Sequence, residues 1–513
     1  MSNDIAAIRS LIIYAICVPL AIFLGYLISD PLDQTTDVVF GIVLFLLLLP
    51  LIFRWYHAWL ITVWNMALTM MFLPGFLPGW IPMACIAFAI AIGHYILNRE
   101  RKFLEAPSVA WSLVVLGLVV AITAKFRGGI GFRALGNEAI GGKRYLWIWV
   151  AILGYFALIS QRIPLEKRNR YTILFLLGAV TAVISQLAGF LGPAFRFLYV
   201  FFPNTYSSAA TQAPMADPSL ERLGGIANAS VAVTYVLVAL YGIQGVLNLR
   251  KFWRPVLFFS FWVLCAFGGF RSTFIAISLT LGLVFCLEGL LRSRLMPITA
   301  LAMILVGSIT VGFSDQMPLP VQRCLAFLPL KISPIAKLSA ETSTEWRLEI
   351  WRSLLPQIPH YLLLGKGLTF DANDMDMYKT LGNQEATGVV GGGFTLAGDY
   401  HNGPLSLIIP FGLWGCLAFI WFLVASFKVL WANYKRGDPE IQRINTFLLS
   451  LFISKTLIFF FIFGGFYSDL VSFVGIVGFS MALNGGVAKP AAVVQPQLVP
   501  RRFRPLPVPA AST

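Results

Sequence analysis

Apolar residues in this chain fall in long runs that recur over almost its whole length. They lie near 11–28, 37–53, 58–73, 80–97, 107–124, 145–160, 171–189, 227–247, 255–270, 272–291, 296–313, 404–427, 444–463 and 469–485. Runs of this kind are long enough to cross a hydrocarbon layer of roughly 30 Å, and a chain crossing lipid must satisfy its backbone within helices or closed barrels. The pattern predicts an all-α fold, a polytopic transmembrane helix bundle of about 12–14 helices. The stretch 58–97 admits a second reading, a re-entrant pair around the PGFLPG turn.

The polar intervals divide the chain into N-terminal transmembrane helices (1–313), one large extracytoplasmic loop (314–403), C-terminal transmembrane helices (404–485) and a Pro- and Ala-rich disordered tail (486–513). A structureless loop of that length is unusual, so short helices and a function are expected in it. Within it, TSTEWRLEIWRSLLPQIPHYLLLGKGL spaces Trp346, Leu348, Ile350, Trp351 and Leu354 as an amphipathic helix. FLGPAFRFLYVFFP, residues 190–203, is a second candidate interfacial helix.

Composition agrees. Of 513 residues, 58% are hydrophobic and 12% charged, more apolar surface than a soluble core requires. Membrane lipids are therefore its surroundings, and no nucleic-acid partner is expected. Cytoplasmic loops retain Lys and Arg; with the N-terminus inside, the clusters at Arg99/Arg101/Lys102, Arg162/Lys167/Arg168/Arg170, Arg250/Lys251/Arg254, Arg292/Arg294 and Lys435/Arg436/Arg443 all lie on the cytoplasmic side. Both termini are then cytoplasmic, the first run is a retained signal anchor, and the long loop faces the periplasm across the cytoplasmic (inner) membrane. Of six cysteines, only Cys324 lies outside the apolar runs, so no disulfide framework is expected.

Several polar features break the pattern. The segment KFRGGIGFRALGNEAIGGKR places Lys125, Arg127, Arg133, Lys143 and Arg144 on the outer side, either for headgroup attraction or for guiding a charged lipid-linked substrate. DANDMDMYKTLG fails the calcium-loop pattern, with Met375, Asp376 and Gly382 at positions that need a ligand, a Gly and a Glu. Four scattered histidines make no zinc motif, so no metal and no cofactor are expected. In AFGGFRSTFIAISLTLGLVF, Arg271 opens a helix that Ser272 or Thr273 can cap, an arrangement suited to phosphate or to an arginine snorkelling to the interface. Arg222 in ERLGGIANAS stands similarly before an apolar run. In DYHNGPLSLIIPFGLWG, Pro404 suits a helix start capped by Asn402 or Gly403. His401 then sits at the outer mouth, as a general base kept neutral by the helix end or as part of an interfacial cap.

These segments together resemble the O-antigen ligase and polymerase superfamily. HNGPLSLIIPFGLWG matches its His-Asn, Leu, Gly and Gly spacing; WRLEIWRSLLPQIPHYLLLGKGL is similar to its outer-loop segment; FRSTFIAISLTLGL and ERLGGIANAS are similar to its Arg-led helix and Arg-x-x-Gly segment. Pro410 departs from the acidic residue frequent there, and the run count exceeds the commoner twelve or so. The resemblance implies a metal-independent glycosyltransferase moving a glycan from a polyprenyl-diphosphate carrier to a hydroxyl of a glycan or lipid acceptor, in cell-surface polysaccharide biosynthesis. Arg222, Arg271 and Arg347 are then expected to bind the diphosphate, with His401 as catalytic base. A lipid-linked oligosaccharide flippase is the alternative; it requires ionisable residues near helix midpoints, for which Glu288 and Lys455 are the main candidates.

Overall fold

The computed structural model describes residues 17–23, 25, 34–70, 76–97, 103–129, 142–203, 223–369, 398 and 400–489. Its helices are α1 Gln34–Val63, α2 Trp80–Leu97, α3 Pro107–Arg127, α4 Gly142–Leu158, α5 Arg168–Leu177, α6 Ala182–Leu191, α7 Gly224–Val246, α8 Trp253–Ala266, α9 Arg271–Leu287, α10 Leu295–Gly312, α11 Leu319–Cys324, α12 Pro334–Leu354, α13 Ile358–Tyr361, α14 Gly403–Arg436, α15 Gln442–Phe461 and α16 Phe466–Asn484. Among the described residues nine helical stretches are long and apolar enough to cross a membrane, α5 and α6 joining through a 3-10 turn into one of them, with α8 and α9 shorter. The all-α polytopic bundle expected from the apolar runs is what the chain forms.

One stretch differs from the expectation. The runs 37–53 and 58–73 are not two full helices: α1 continues from the first into the start of the second, broken at Trp55, and ends at Val63. Residues beyond it form a two-stranded antiparallel hairpin, β1 Thr69–Met70 on β2 Leu77–Pro78. Backbone unwound inside a membrane protein needs partners from elsewhere. Here Thr181 Oγ1 accepts from Ala67 N at 2.9 Å, Phe201 O accepts from Thr69 N at 2.7 Å, and Asn65 Nδ2 donates to Phe175 O at 2.8 Å.

The core is α3 against α14, α4 against α2 and α16, α15 against α9 and α14, and α7 against α8. Since lipid is as apolar as leucine, close packing around small residues holds such helices together; Gly154 and Gly475 leave the space that Trp64 fills. At one end an asparagine cluster ties three helices, with Asn445 Nδ2 donating to Asn433 O and Asn484 Oδ1, each at 3.0 Å. At the other end Phe466 N donates to Ser406 Oγ at 2.9 Å, bringing the starts of α14 and α16 together beside His401.

Helix α14 is itself broken. Pro410 lacks an N–H and Gly412 adopts φ +62°, a conformation that a side chain disfavours. The freed groups are taken up by the segment 362–367, which ends in LGKG: Lys366 N donates to Ile409 O at 2.8 Å, Gly367 N to Pro410 O at 2.9 Å, and Leu413 N to Leu362 O at 2.6 Å. Pro410 sits at the break that this segment fills.

Candidate functional site

Helix α12 buries Ala336, Ala340, Ser343, Trp346, Ile350 and Leu354 at helical spacing. The amphipathic helix is therefore as expected, but Leu348 lies off its buried face, 37% exposed. Trp346, Ile350 and Leu354 join Tyr400, Leu405 and Ile409 in a small core that fixes α12 to the start of α14. Trp351 Nε1 donates to Tyr400 O at 2.9 Å, and Asn402 Oδ1 accepts from Leu405 N at 3.0 Å. Between these two anchors His401 is held at φ +50°.

The His401 ring stacks on Phe463, centroids 5.2 Å apart, and tilts against Trp346 at 5.3 Å. The Arg347 guanidinium carbon stands 5.5 Å from the centroid of that same Phe463 ring. The loop carrying Phe463 is secured by Asp469, which accepts from Gly465 N at 3.0 Å and pairs with Lys455 at 3.3 Å.

Arg271 does open α9, but the cap differs from the expectation. Phe270 is the N-cap residue and makes no side-chain cap bond, so Ser272 and Thr273 lie inside the first turn. Arg271 Nη2 reaches α12 instead, donating to Ala340 O at 3.0 Å and Thr344 Oγ1 at 2.9 Å. One turn along, burial and the Arg271 charge pull the Arg347 guanidinium down to about 10, so both remain cationic at neutral pH. Arg347 Nε is buried and makes no hydrogen bond among the described residues. Two arginines close enough for one charge to act on the other favour an anion, because each offers fixed donors and a permanent charge.

A third arginine was not legible from the sequence. Arg323 of α11 is 5% exposed, and its Nη1 donates to Gly269 O at 3.4 Å, just ahead of Arg271. Burial pushes the neighbouring Cys324 thiol up to about 12, against the opposing pull of Arg323 and Arg271. Nothing in PVQRC signals this position, since the contact depends on how α11 folds back onto the turn before α9. Trp346 and Phe463, the rings around His401, were likewise not singled out for that role.

Other candidates fall elsewhere. Arg222, Arg133 and the DANDMDM segment lie outside the described residues. Arg127 Nε donates to Gly365 O at 3.0 Å, and Arg144 packs 4.8 Å above the Tyr467 ring, so both ends of the basic 125–144 segment are drawn into the fold. Among the described residues no group of three or more His, Cys, Asp or Glu is placed to hold a metal ion. Glu288 lies at the far end of α9. Its carboxylate accepts from Ile243 N at 3.1 Å and Gln244 N at 3.4 Å where α7 breaks at Gly242.

No curated protein matches the chain. Residues 223–420, which carry Arg271, Arg347 and His401, match the O-antigen ligase family.

Proposed function

We propose that this protein is a glycosyltransferase of the ligase or polymerase type, acting on the outer face of the cytoplasmic membrane. Its donor is a glycan on a polyprenyl diphosphate, and its acceptor is a hydroxyl of a second glycan or of a lipid. The observation that carries this reading is the shared Phe463 ring, which the His401 imidazole and the Arg347 guanidinium both contact, with the Arg271 charge acting on Arg347. The left-handed backbone at His401 adds to it, since strain of about 1–3 kcal/mol persists where the surroundings and a function require it.

The acceptor oxygen attacks the anomeric carbon and forms the new glycosidic bond as the bond to the diphosphate oxygen breaks. The polyprenyl diphosphate leaves with that electron pair, while the acceptor's proton passes to His401. Arg271 and Arg347 meet the growing negative charge, a form of catalysis that fixed donors in a dry site perform well. Arg222 is assigned to the same group from the family resemblance. With arginines supplying the charge, no metal is required, and chelation with EDTA is expected to leave transfer intact. A transporter is disfavoured because Glu288 and Lys455 are engaged in a helix break and an ion pair.

The test is transfer by purified protein from a lipid-linked donor. His401→Ala and His401→Gln are each expected to lower turnover by about 10²- to 10⁴-fold, with donor affinity retained; a Gln variant at wild-type turnover would remove His401 as the base. A reporter fused within 314–403 should read exported. In a deletion strain, single glycan units on the surface would indicate a polymerase, and accumulated full-length lipid-linked chains a ligase.

A further inference from the structure

Beneath the β-hairpin lies a cavity of about 300 Å³ walled by Trp64, Trp80 and Trp147 together with Asn65, Thr69 and Ser185. It exists because two crossing segments lose regular helix side by side: α1 stops at Val63, and a 3-10 turn over Gly178–Thr181 precedes α6. The three indoles touch in series, Trp64 to Trp80 at 5.6 Å and Trp80 to Trp147 at 5.8 Å, the latter pair edge to face. Trp64 Nε1 is bound to Val471 O at 3.2 Å, whereas Trp147 Nε1 is buried without a hydrogen-bond partner among the described residues.

An unpaired buried donor is unfavourable unless a ligand completes it. Ser185 Oγ already donates to Ala182 O at 3.2 Å, which leaves its lone pairs to accept, and Asn65 keeps its carbonyl oxygen after its amide binds Phe175 O. The wall thus combines flat aromatic faces with an indole donor, an amide and hydroxyls. A pyranose ring has the complementary surface, with C–H groups on its faces and hydroxyls around its rim. A polyprenyl chain needs neither the donor nor the hydroxyls. The volume is at the lower end of the range for small-molecule sites, about 300–1,000 Å³.

A ring contact links the cavity wall to the segment that carries Phe463. Trp147 packs edge-on to Tyr467 with centroids 5.4 Å apart. Tyr467 lies four residues after Phe463, the ring that His401 and Arg347 share. We infer that the cavity is a second glycan subsite, holding one pyranose ring of a substrate glycan away from the bond that reacts. The identity of that glycan rests on the transferase reading, but sugar binding requires no turnover.

The experiment uses the full chain in phospholipid nanodiscs, titrated by tryptophan fluorescence. The probe is the repeat-unit oligosaccharide released by mild acid from the host's surface polysaccharide, free of lipid and diphosphate. Wild type is expected to bind it saturably. Trp147→Phe keeps the ring contacts but lacks the N–H, and should weaken binding about tenfold. Ser185→Leu fills the cavity and should abolish binding, while Trp431→Phe on α14, outside the cavity wall, should leave it unchanged. Thermal melts show which variants are folded, and if Ser185→Leu is not, Trp147→Phe decides. No binding to wild type, equal binding in folded cavity variants, or equal displacement by sugar-free polyprenyl phosphate would each overturn the inference. In transfer assays, a raised acceptor KM assigns the ring to the acceptor, and a weakened donor assigns it to the donor. Sugar binding without any transfer would reject the transferase reading and leave the subsite standing.

Discussion

Arg271, the first residue of α9, donates to Thr344 Oγ1 of α12 at 2.9 Å, so a bundle helix and the long connecting segment are joined at the candidate site. The hydroxyl occupies only part of a guanidinium that carries five donors. Arg271→Lys keeps the charge but loses the fork, and is expected to insert normally while losing nearly all transfer. Thr344→Val removes one bond and leaves the bond to Ala340 O, so a loss of about tenfold or less is expected. Transfer rates normalised to folded protein check both, and full activity in the Lys variant would favour a snorkelling charge.

Arg347 gives a pH prediction. Its value falls from the ordinary arginine value to about 10, through burial first and the Arg271 charge second. Between those two pH values the folded protein binds fewer protons than the unfolded chain, so stability from this group rises with pH there and is flat below about 10. Pyrophosphate binding should accordingly be insensitive to this group from pH 6 to 9 and weaken towards pH 10. Arg347→Gln should melt no lower than wild type without ligand, because like charges are separated, yet lose the stabilisation that pyrophosphate gives wild type. Calorimetric melts with and without pyrophosphate provide the measurement.

The break in α14 predicts a structural sensitivity. A Cβ on Gly412 would meet Leu362 O at 2.7 Å and force a side chain into φ +62°. Gly412→Ala is expected to destabilise by about 1–3 kcal/mol or more, and to loosen the 362–367 segment. Faster proteolysis within that segment and a lower unfolding midpoint in mild detergent check it.

Glu288 separates a structural role from a transport role. Glu288→Ala leaves Ile243 N and Gln244 N without their carboxylate, at a cost of about 1–3 kcal/mol. Activity per folded molecule should be unchanged, since the group lies at the opposite end of α9 from Arg271. Loss of activity in a fully folded variant would reopen the transporter reading.

The membrane-spanning architecture was legible because length and apolar composition nearly suffice to define a helix in lipid. The helix start at Pro404, its cap at Asn402 and the amphipathic character of 346–354 were legible for the same local reasons. The helix start at Arg271 is as expected, but Ser272 and Thr273 do not cap it because they lie inside its first turn, and the Arg271 side chain takes its partners from α12. The hairpin after Val63 was hidden because the groups that accept its backbone, Thr181 and Phe201, lie more than a hundred residues away.

By itself, then, the sequence determined a helical membrane bundle, the long segment between α10 and α14, and a family resemblance that placed Arg271, Arg347 and His401 together on a list. Only the tertiary structure decided that Arg347 and His401 lie against one Phe463 ring, that Arg323 stands behind Arg271, and that LGKG fills the break in α14. The physical reason is range. Partition into lipid and helix capping act over one turn or one span, whereas the site depends on contacts between segments whose meeting is set by packing of the whole bundle.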